Sequence, residues 1–313
     1  MKIIFAGTPA FTLPVLNAVL SSGHDVVAIL TRADRPAGRG LKERQSAVKQ
    51  EAVARGLRLE QPEQFTRQTI DKIAALQADL MITMSYGMLL PDELLQSLSI
   101  GCVNIHTSLL PRWRGAAPIV RAIEAGDAET GVSLMHTVSE LDAGPIIGQH
   151  RCPITDSDTT QILEKKLAAL GGEEISRLLN HSRDRICQRI AQARNQPDTG
   201  ITYAKKLNKQ EAWIDWHDSA HHIACKIRAY NPWPIAQTRL GKQILRIWSA
   251  RVGNYDVQTA QLKTAKHSMF AGCADGALEL LEVQLPGGKP MSASAFVNGH
   301  KITDTSLAMH DTY

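Results

Sequence analysis

Apolar positions in the first half of the chain fall in short unbroken runs, separated by stretches of helical spacing. KIIFAG at 2–7 is one such run. LPVLNAVLSSGH at 13–24 spaces its apolar residues as a helix does, and DVVAIL at 25–30 is a second run. Strand, helix and strand within about thirty residues make a βαβ unit. ADLMITMSYG at 78–87 and GCVNIHTSLL at 101–110 continue the series. None of these runs alternates, which predicts strands buried on both faces, as in a parallel sheet covered by helices. The expectation is a doubly wound, Rossmann-like α/β domain. Two more strands are expected at 131–138 and 145–153, around a polar turn that carries Glu140 and Asp142, followed by a closing helix at 159–180.

The pattern changes after residue 180. Periodicity fades through HSRDRICQRIAQARNQPDTGITYAKK, and Pro197 and Gly200 appear. The first domain is therefore expected over 1–186, a linker over 187–208 and a second domain over 209–313. In the latter a helix near 217–229 ends at NPWP. AQTRL, QILRIWSARV, SMFAGCADG, ALELLEVQL and MSASAFVNG then read as short strands divided by Gly or Pro turns. That predicts a small β-barrel.

Composition narrows the classes. The 313 residues suffice for one large or two ordinary domains, and 43% hydrophobic residues supply a sizeable core. No stretch reaches the roughly 18 apolar residues of a membrane span. MKIIFAGTPAF is too short in its apolar part for a signal peptide and reads as a first strand. The five cysteines (102, 152, 187, 225 and 273) are scattered without C-x-x-C spacing, so reduced thiols in a cytoplasmic protein are expected. Net charge is only +4, too little to require a nucleic-acid partner. It is unevenly placed, however. Residues 32–49 hold six Lys/Arg against two Asp/Glu, and residues 200–313 hold thirteen against nine. The two regions could form a basic surface for a phosphate backbone or an ordinary solvated face, and composition alone favours the latter.

A doubly wound domain invites a dinucleotide, but GTPAFT at 7–12 lacks G-x-G-x-x-G, and no G-x-x-x-x-G-K-[ST] occurs. Ligands of such sheets bind beyond the carboxyl ends of the strands near the switch point. Asn104, His106 and the 108–111 loop are expected there. An Asn amide donates hydrogen bonds at every pH, and a His donates or titrates. Two apart on a strand, they point the same way and could meet one oxygen where negative charge develops. The plainer alternative is an Asn that holds a loop and a His at a strand end; the local pattern alone favours it. Asp142 is likewise either turn chemistry or a carboxylate near His106. His217, His221 and His222 could ligate a metal by spacing, but with no partnering Cys or nearby acidic cluster a solvated or packed helix face is expected, and no metal.

Asn104, His106 and Ser108-Leu109-Leu110-Pro111, followed by Gly115 and later Asp142, resemble the folate-dependent formyltransferases. The resemblance covers nearly the whole chain: FAGTPAF at 5–11, DRPAGRG at 34–40, YAKKLNKQEAWIDW at 203–216, IRAYNPWP at 227–234 and LPGGKPMSASAFVNG at 285–299. It is greatest toward members that formylate the methionine of initiator methionyl-tRNA. The resemblance implies 10-formyltetrahydrofolate as co-substrate, no metal, and catalysis by Asn104, His106 and Asp142. It implies a folate cleft lined by Ser108, Leu109, Leu110, Pro111, Met84, Tyr86 and Gly87. It also implies tRNA contacts at Arg39, Lys42, Arg44, Lys205 and Lys206, an OB-like fold for the second domain, and a monomer with no membrane attachment. Two other functions stay open: formyl transfer to a purine precursor or amino sugar nucleotide, and nucleic-acid binding without catalysis. Steep salt dependence marks a tRNA substrate, because phosphate contacts release counterions.

Overall fold

A computed structural model describes residues 1–37, 42–300, 302 and 305–309, with 35–37 and 42–44 described as backbone only. The chain forms two compact units. One comprises Met1–Pro118, Thr130–Pro153 and Glu164–Ala204; the other comprises Ile119–Glu129, Ile154–Leu163 and Lys205–Tyr313.

The elements of the first half, in chain order, are β1 (Lys2–Gly7), α1 (Leu13–Leu20), β2 (Asp25–Leu30), β3 (Arg35–Ala37), β4 (Lys42–Arg44), α2 (Ala47–Ala54), β5 (Leu59–Glu60), α3 (Arg67–Ala74), β6 (Leu80–Met84), α4 (Asp92–Gln96), β7 (Gly101–His106), β8 (Arg114–Gly115), α5 (Pro118–Glu124), β9 (Glu129–His136), β10 (Ile146–Pro153), α6 (Thr160–Leu179), α7 (Arg183–Ala191) and β11 (Tyr203–Ala204). Their main sheet runs β10-β9-β7-β6-β1-β2-β5. The strands β7, β6, β1, β2 and β5 pair in parallel, and every residue of β6 is buried, as its unbroken apolar run requires. Strand β1 lies between β6 and β2, so the order reverses there and the carboxyl ends of β1, β6 and β7 frame the switch point.

Two features go beyond the sequence reading. Strand β9 runs antiparallel to β7, pairing Val103 with His136 and His106 with Ser133. A strand buried on both faces shows the same apolar run in either direction, so hydrophobicity carries no sign of this reversal. Helix α7 also crosses the expected 186/187 boundary. Its first turn is capped by Ser182, which accepts a hydrogen bond from the Arg185 N–H (3.4 Å), and Ile186 is buried beneath it.

The second unit continues with α8 (Ala220–Ala229), β12 (Ala236–Leu240), β13 (Gln243–Gly253), β14 (Leu262–Ala265), β15 (Ser268–Gly272), β16 (Ala277–Gln284), β17 (Met291–Ser292), α9 (Ala293–Gly299) and β18 (Leu307–Ala308). Its antiparallel sheet has the order β14-β15-β16-β13-β12-β18, with β17 on β16. Register shifts between Ile247 and Ala250 break the β13–β16 ladder, the kind of irregularity that bends a sheet. Trp216, Ile223, Leu245, Ile247, Met269, Leu280 and Phe296 fill the core, and the Trp216 indole donates to Thr238 Oγ1 (2.9 Å). MSASAFVNG is a two-residue strand followed by a helix, not the strand expected. Ser292 caps that helix by accepting from the Ala295 N–H (3.2 Å), and Ala293 and Phe296 are buried at i, i+3. Small residues between them hide the helical period.

The second unit also takes in two stretches from the first half of the chain. Tyr230, fully buried at the end of α8, donates its hydroxyl to Glu124 Oε1 (2.5 Å), while Thr160 donates to the Ala229 carbonyl (2.5 Å). Burial, reinforced by the Glu124 carboxylate, pushes the Tyr230 phenol above its ordinary range. A hydrogen bond to a charged group contributes about 1.5–3 kcal/mol. Tyr230→Phe should therefore lower the urea midpoint by an equivalent of about 2 kcal/mol at an unchanged m-value, measured by circular dichroism.

Candidate active site

The parallel pairing of β6 with β7 sets Thr83 beside Asn104, and the Thr83 hydroxyl donates to Asn104 Oδ1 (2.8 Å). That bond fixes which way the amide faces. Its oxygen is occupied, while Nδ2 finds no acceptor among the described residues and stays available as a donor. Asn104 is half-buried at the mouth of the sheet. Thr83 is a residue the sequence reading missed; a threonine within an apolar run gives no local sign of its partner.

Two residues on, His106 is buried, and its ring faces a protein group at each nitrogen. Nε2 lies 2.8 Å from the Trp113 carbonyl, which fixes it as a donor. Nδ1 faces Asp142 Oδ1 at 3.6 Å. The structure thus brings Asn104, His106 and Asp142 together, but with divided tasks. Asn104 is the open donor, and His106 is held between a carbonyl and a carboxylate rather than aimed beside Asn104 at one oxygen.

Asp142 is itself held. Its Oδ2 accepts the Gly115 N–H (2.8 Å), and its backbone has φ +50°, as Trp113 has φ +65°. Such angles in non-glycine residues cost about 1–3 kcal/mol each and persist only where the surroundings over-determine them. Gly115 has φ +116°, and a Cβ there would lie 2.9 Å from the Ala204 carbonyl oxygen.

The 108–111 loop is tied internally. Ser108 is fully buried and its hydroxyl donates to the Arg112 carbonyl (2.6 Å). Ser133 Oγ donates to the Ser108 carbonyl (2.7 Å) and accepts from the Leu110 N–H (3.1 Å), and Gln149 donates to the Leu110 carbonyl (2.8 Å). Leu110 is buried as well, which leaves Leu109 and Pro111 as the partly exposed apolar members. At the end of β6 and just beyond it, the side chains of Met84 and Tyr86 turn into the core, and Ser85 and Gly87 are exposed. Burial pushes the Tyr86 phenol above its ordinary range. Of the seven residues expected to line a cleft, Ser108, Leu110, Met84 and Tyr86 have buried side chains. Strands alternate faces, but the loops beyond their ends do not, and the sequence pattern did not carry that far.

Arg39 lies outside the described residues. Lys42 and Arg44 are backbone positions on β4, which pairs with β3. The base of that hairpin is closed by Lys49 on Asp34 (2.5 Å) and by Gln61, which donates to Asp34 Oδ1 (3.0 Å); these partners hold the Asp34 carboxyl below the usual carboxylate range. Lys205 and Lys206, in the second unit, are exposed. Among the described residues no group of three His, Cys, Asp or Glu is placed to hold a metal, and no helix is long and apolar enough to cross a membrane. His217 instead meets Asp215 (3.1 Å) and His221 meets the Cys225 thiol (3.5 Å).

Residues 1–179 match the formyl transferase family and residues 206–301 match the formyl transferase C-terminal domain. A methionyl-tRNA formyltransferase of Methylococcus capsulatus is 45% identical over 311 residues, covering 98% of this chain and 99% of that protein. Its counterpart in Methylobacillus flagellatus is 42% identical, with 96% and 97% covered. Among solved structures, an N-formyltransferase of Helicobacter canadensis in complex with folinic acid and dTDP-3-aminofucose superposes with a TM-score of 0.65. That likeness spans 90% of this chain and 98% of the other at 17% identity, a similarity of fold.

Gly115→Ala should disturb this site without touching its side chains. The positive φ and the contact with the Ala204 carbonyl together should cost about 1–3 kcal/mol in thermal unfolding. Hydrogen exchange at the 115 amide should speed up as its bond to Asp142 lengthens, and unchanged exchange there would contradict this account of the loop.

Proposed function

The chain belongs to the formyl transferase family, and on that premise we propose that it moves a formyl group from 10-formyltetrahydrofolate to the amino group of methionine on initiator methionyl-tRNA, for translation initiation. The observation that carries this reading is the convergence of Asn104, His106 and Asp142 at the end of β7, in a chain that aligns almost end to end with methionyl-tRNA formyltransferases. The names of those relatives favour the tRNA acceptor over a purine precursor or an amino sugar nucleotide.

The acceptor chemistry suits such a site. The α-amino group of a free amino acid titrates near about 8, and the adjacent carboxylate helps to keep it protonated. Esterification to tRNA removes that negative charge and lowers the amine pKa, so the ester presents a neutral nucleophile. Attack on the formyl carbon forms a C–N bond and leaves a tetrahedral oxyanion. Asn104 Nδ2, its direction set by Thr83, donates to that oxygen. Asp142 takes the proton from the attacking nitrogen. His106, facing Asp142 across 3.6 Å, orients the carboxylate and shares the proton on its way to the folate nitrogen as the old C–N bond breaks. Leu109 and Pro111, with the exposed backbone around Gly87, offer the apolar edge for the folate, and Ser108, Leu110, Met84 and Tyr86 support that edge from beneath.

For the tRNA we infer contacts from Arg39, from Lys42 and Arg44 on β4, and from Lys205 and Lys206; the lysines supply phosphate contacts that position the substrate, and Arg39 suits a phosphate or a guanine of the acceptor stem. Residues 1–186 are proposed as the catalytic domain and 209–313 as the tRNA-binding domain. A cytoplasmic monomer belongs to the same proposal, and the scatter of the five cysteines without C-x-x-C spacing supports a reducing compartment.

The test is formyl transfer from labelled 10-formyltetrahydrofolate to charged initiator tRNA, free methionine and glycinamide ribonucleotide in parallel. Label should reach the charged tRNA alone, and transfer to the ribonucleotide instead would overturn the reading. Asn104→Ala should lower kcat by about 10²–10³-fold with little change in tRNA affinity, as loss of an oxyanion donor does. The affinity for tRNA, but not for folate, should fall steeply between 50 and 200 mM salt, by about 10³-fold or more if six or more phosphates are contacted. A flat salt profile would exclude the phosphate contacts.

A further inference from the structure

The segment that reads as a linker touches both loops of the catalytic site. At residue 194 it pairs with the start of β10: the Ile146 N–H donates to the Arg194 carbonyl (2.7 Å) and the Arg194 N–H to the Ile146 carbonyl (2.9 Å). At residue 196 it meets the Asp142 loop. Gln196 Nε2 donates to the carbonyls of Asp142 (2.8 Å) and Gly144 (2.9 Å). Gln196 Oε1 accepts from Nε (3.0 Å) and from a terminal nitrogen (2.8 Å) of Arg114, which is buried next to Gly115. At residue 202 the Thr202 hydroxyl accepts the Trp113 N–H (2.9 Å), and its carbonyl accepts the Arg114 N–H (2.9 Å). At residue 204 the Ala204 carbonyl takes the N–H groups of Ala116 (2.9 Å) and Ala117 (3.2 Å). The match to the formyl transferase domain ends at 179 and the C-terminal match begins at 206, so this segment lies outside both.

We propose that residues 194–204 form a strap that sets the catalytic geometry, with Gln196 as the positioning residue at its centre. The physical case rests on the two left-handed backbone positions. Trp113 supplies the carbonyl that holds His106, and Asp142 supplies the carboxylate that faces it; both are strained and both sit in loops. Strain of that kind persists only when several bonds oppose its release. Gln196 bonds the Asp142 backbone and, through Arg114, the loop of Trp113 and Gly115. It therefore fixes the separation between His106 and Asp142 without touching the reacting atoms.

This inference rests on the formyl-transfer reading, and two variants test it. Gln196→Glu keeps an acceptor for Arg114 but loses both donors, and sets a carboxylate oxygen against the Asp142 and Gly144 carbonyls. Gln196→Met keeps the length and loses all four bonds. Each variant is assayed on charged initiator tRNA, with folate affinity, Tm and amide exchange at 113–115 and 140–145 measured beside it. A misplacement of about 1 Å costs up to 10²-fold in rate, so kcat should fall by about 10–100-fold in Gln196→Glu with both KM values and Tm unchanged. Exchange should quicken in both segments. Wild-type kcat in both variants would overturn the proposal, as would a kcat that falls only in step with Tm and folate affinity. If the wild-type protein transfers no formyl group, the functional reading fails first, and the strap is decided by exchange: unchanged rates at both segments overturn it, and faster rates sustain it.

Discussion

The hydrogen bond from the Gly115 N–H to Asp142 Oδ2, 2.8 Å long, is the contact on which the candidate site depends. It joins the loop after β7 to the turn before β10, two segments 27 residues apart in the chain. It also explains the glycine. A side chain at φ +116° would be strained, and its Cβ would press on the Ala204 carbonyl, which is itself occupied with Ala116 and Ala117. The close approach of three backbones thus orients one carboxylate. With that carboxylate in place, His106 lies between Asp142 and the Trp113 carbonyl, and Asn104 is left as the open donor.

The different settings of Asn104 and His106 have a physical basis in the sheet. Side chains two apart on β7 share a face, which brings Asn104 and His106 to the same side. Their neighbours differ. Asn104 faces Thr83 across a parallel ladder, where a hydroxyl caps the amide oxygen. His106 faces Ser133 across an antiparallel one, where Ser133 instead ties the 108–111 loop. An antiparallel strand beside β7 thus lets one neighbour orient the Asn104 amide and the other anchor the 108–111 loop.

Much of the candidate site was legible before any coordinates. Asn104 and His106 stood out because polar residues two apart at the end of a buried strand conflict with an apolar core. Asp142 is weaker by local pattern, since Asp before Ala-Gly is ordinary turn chemistry; its place between two strands keeps it open as a carboxylate near His106, and the family pattern favours that reading. Ser108 and Tyr86 have inward-directed side chains, because direction in a loop follows from contacts and not from a period, and Met84 is buried as the last residue of β6. Thr83, Gln149 and Gln196 gave no signal. Each is a polar residue whose partner is remote in sequence, from 21 residues away for Thr83 to 82 for Gln196 and Arg114.

Periodicity and composition by themselves determined the α/β character of the first half, the positions of its buried strands and the β-rich second half, because burial on one or two faces imprints a repeat on the chain. Tertiary structure alone decided what a repeat cannot encode. The reversal of β9 leaves hydrophobicity unchanged, so pairing had to reveal it. The adoption of 119–129 and 154–163 by the second unit is marked by Tyr230 bonding Glu124, 106 residues away, and by Thr160 bonding the Ala229 carbonyl, 69 residues away. The strap at 194–204 has a loop's composition because its work is done by backbone and amide hydrogen bonds, and a hydrogen bond, unlike a buried face, repeats at no interval along the sequence.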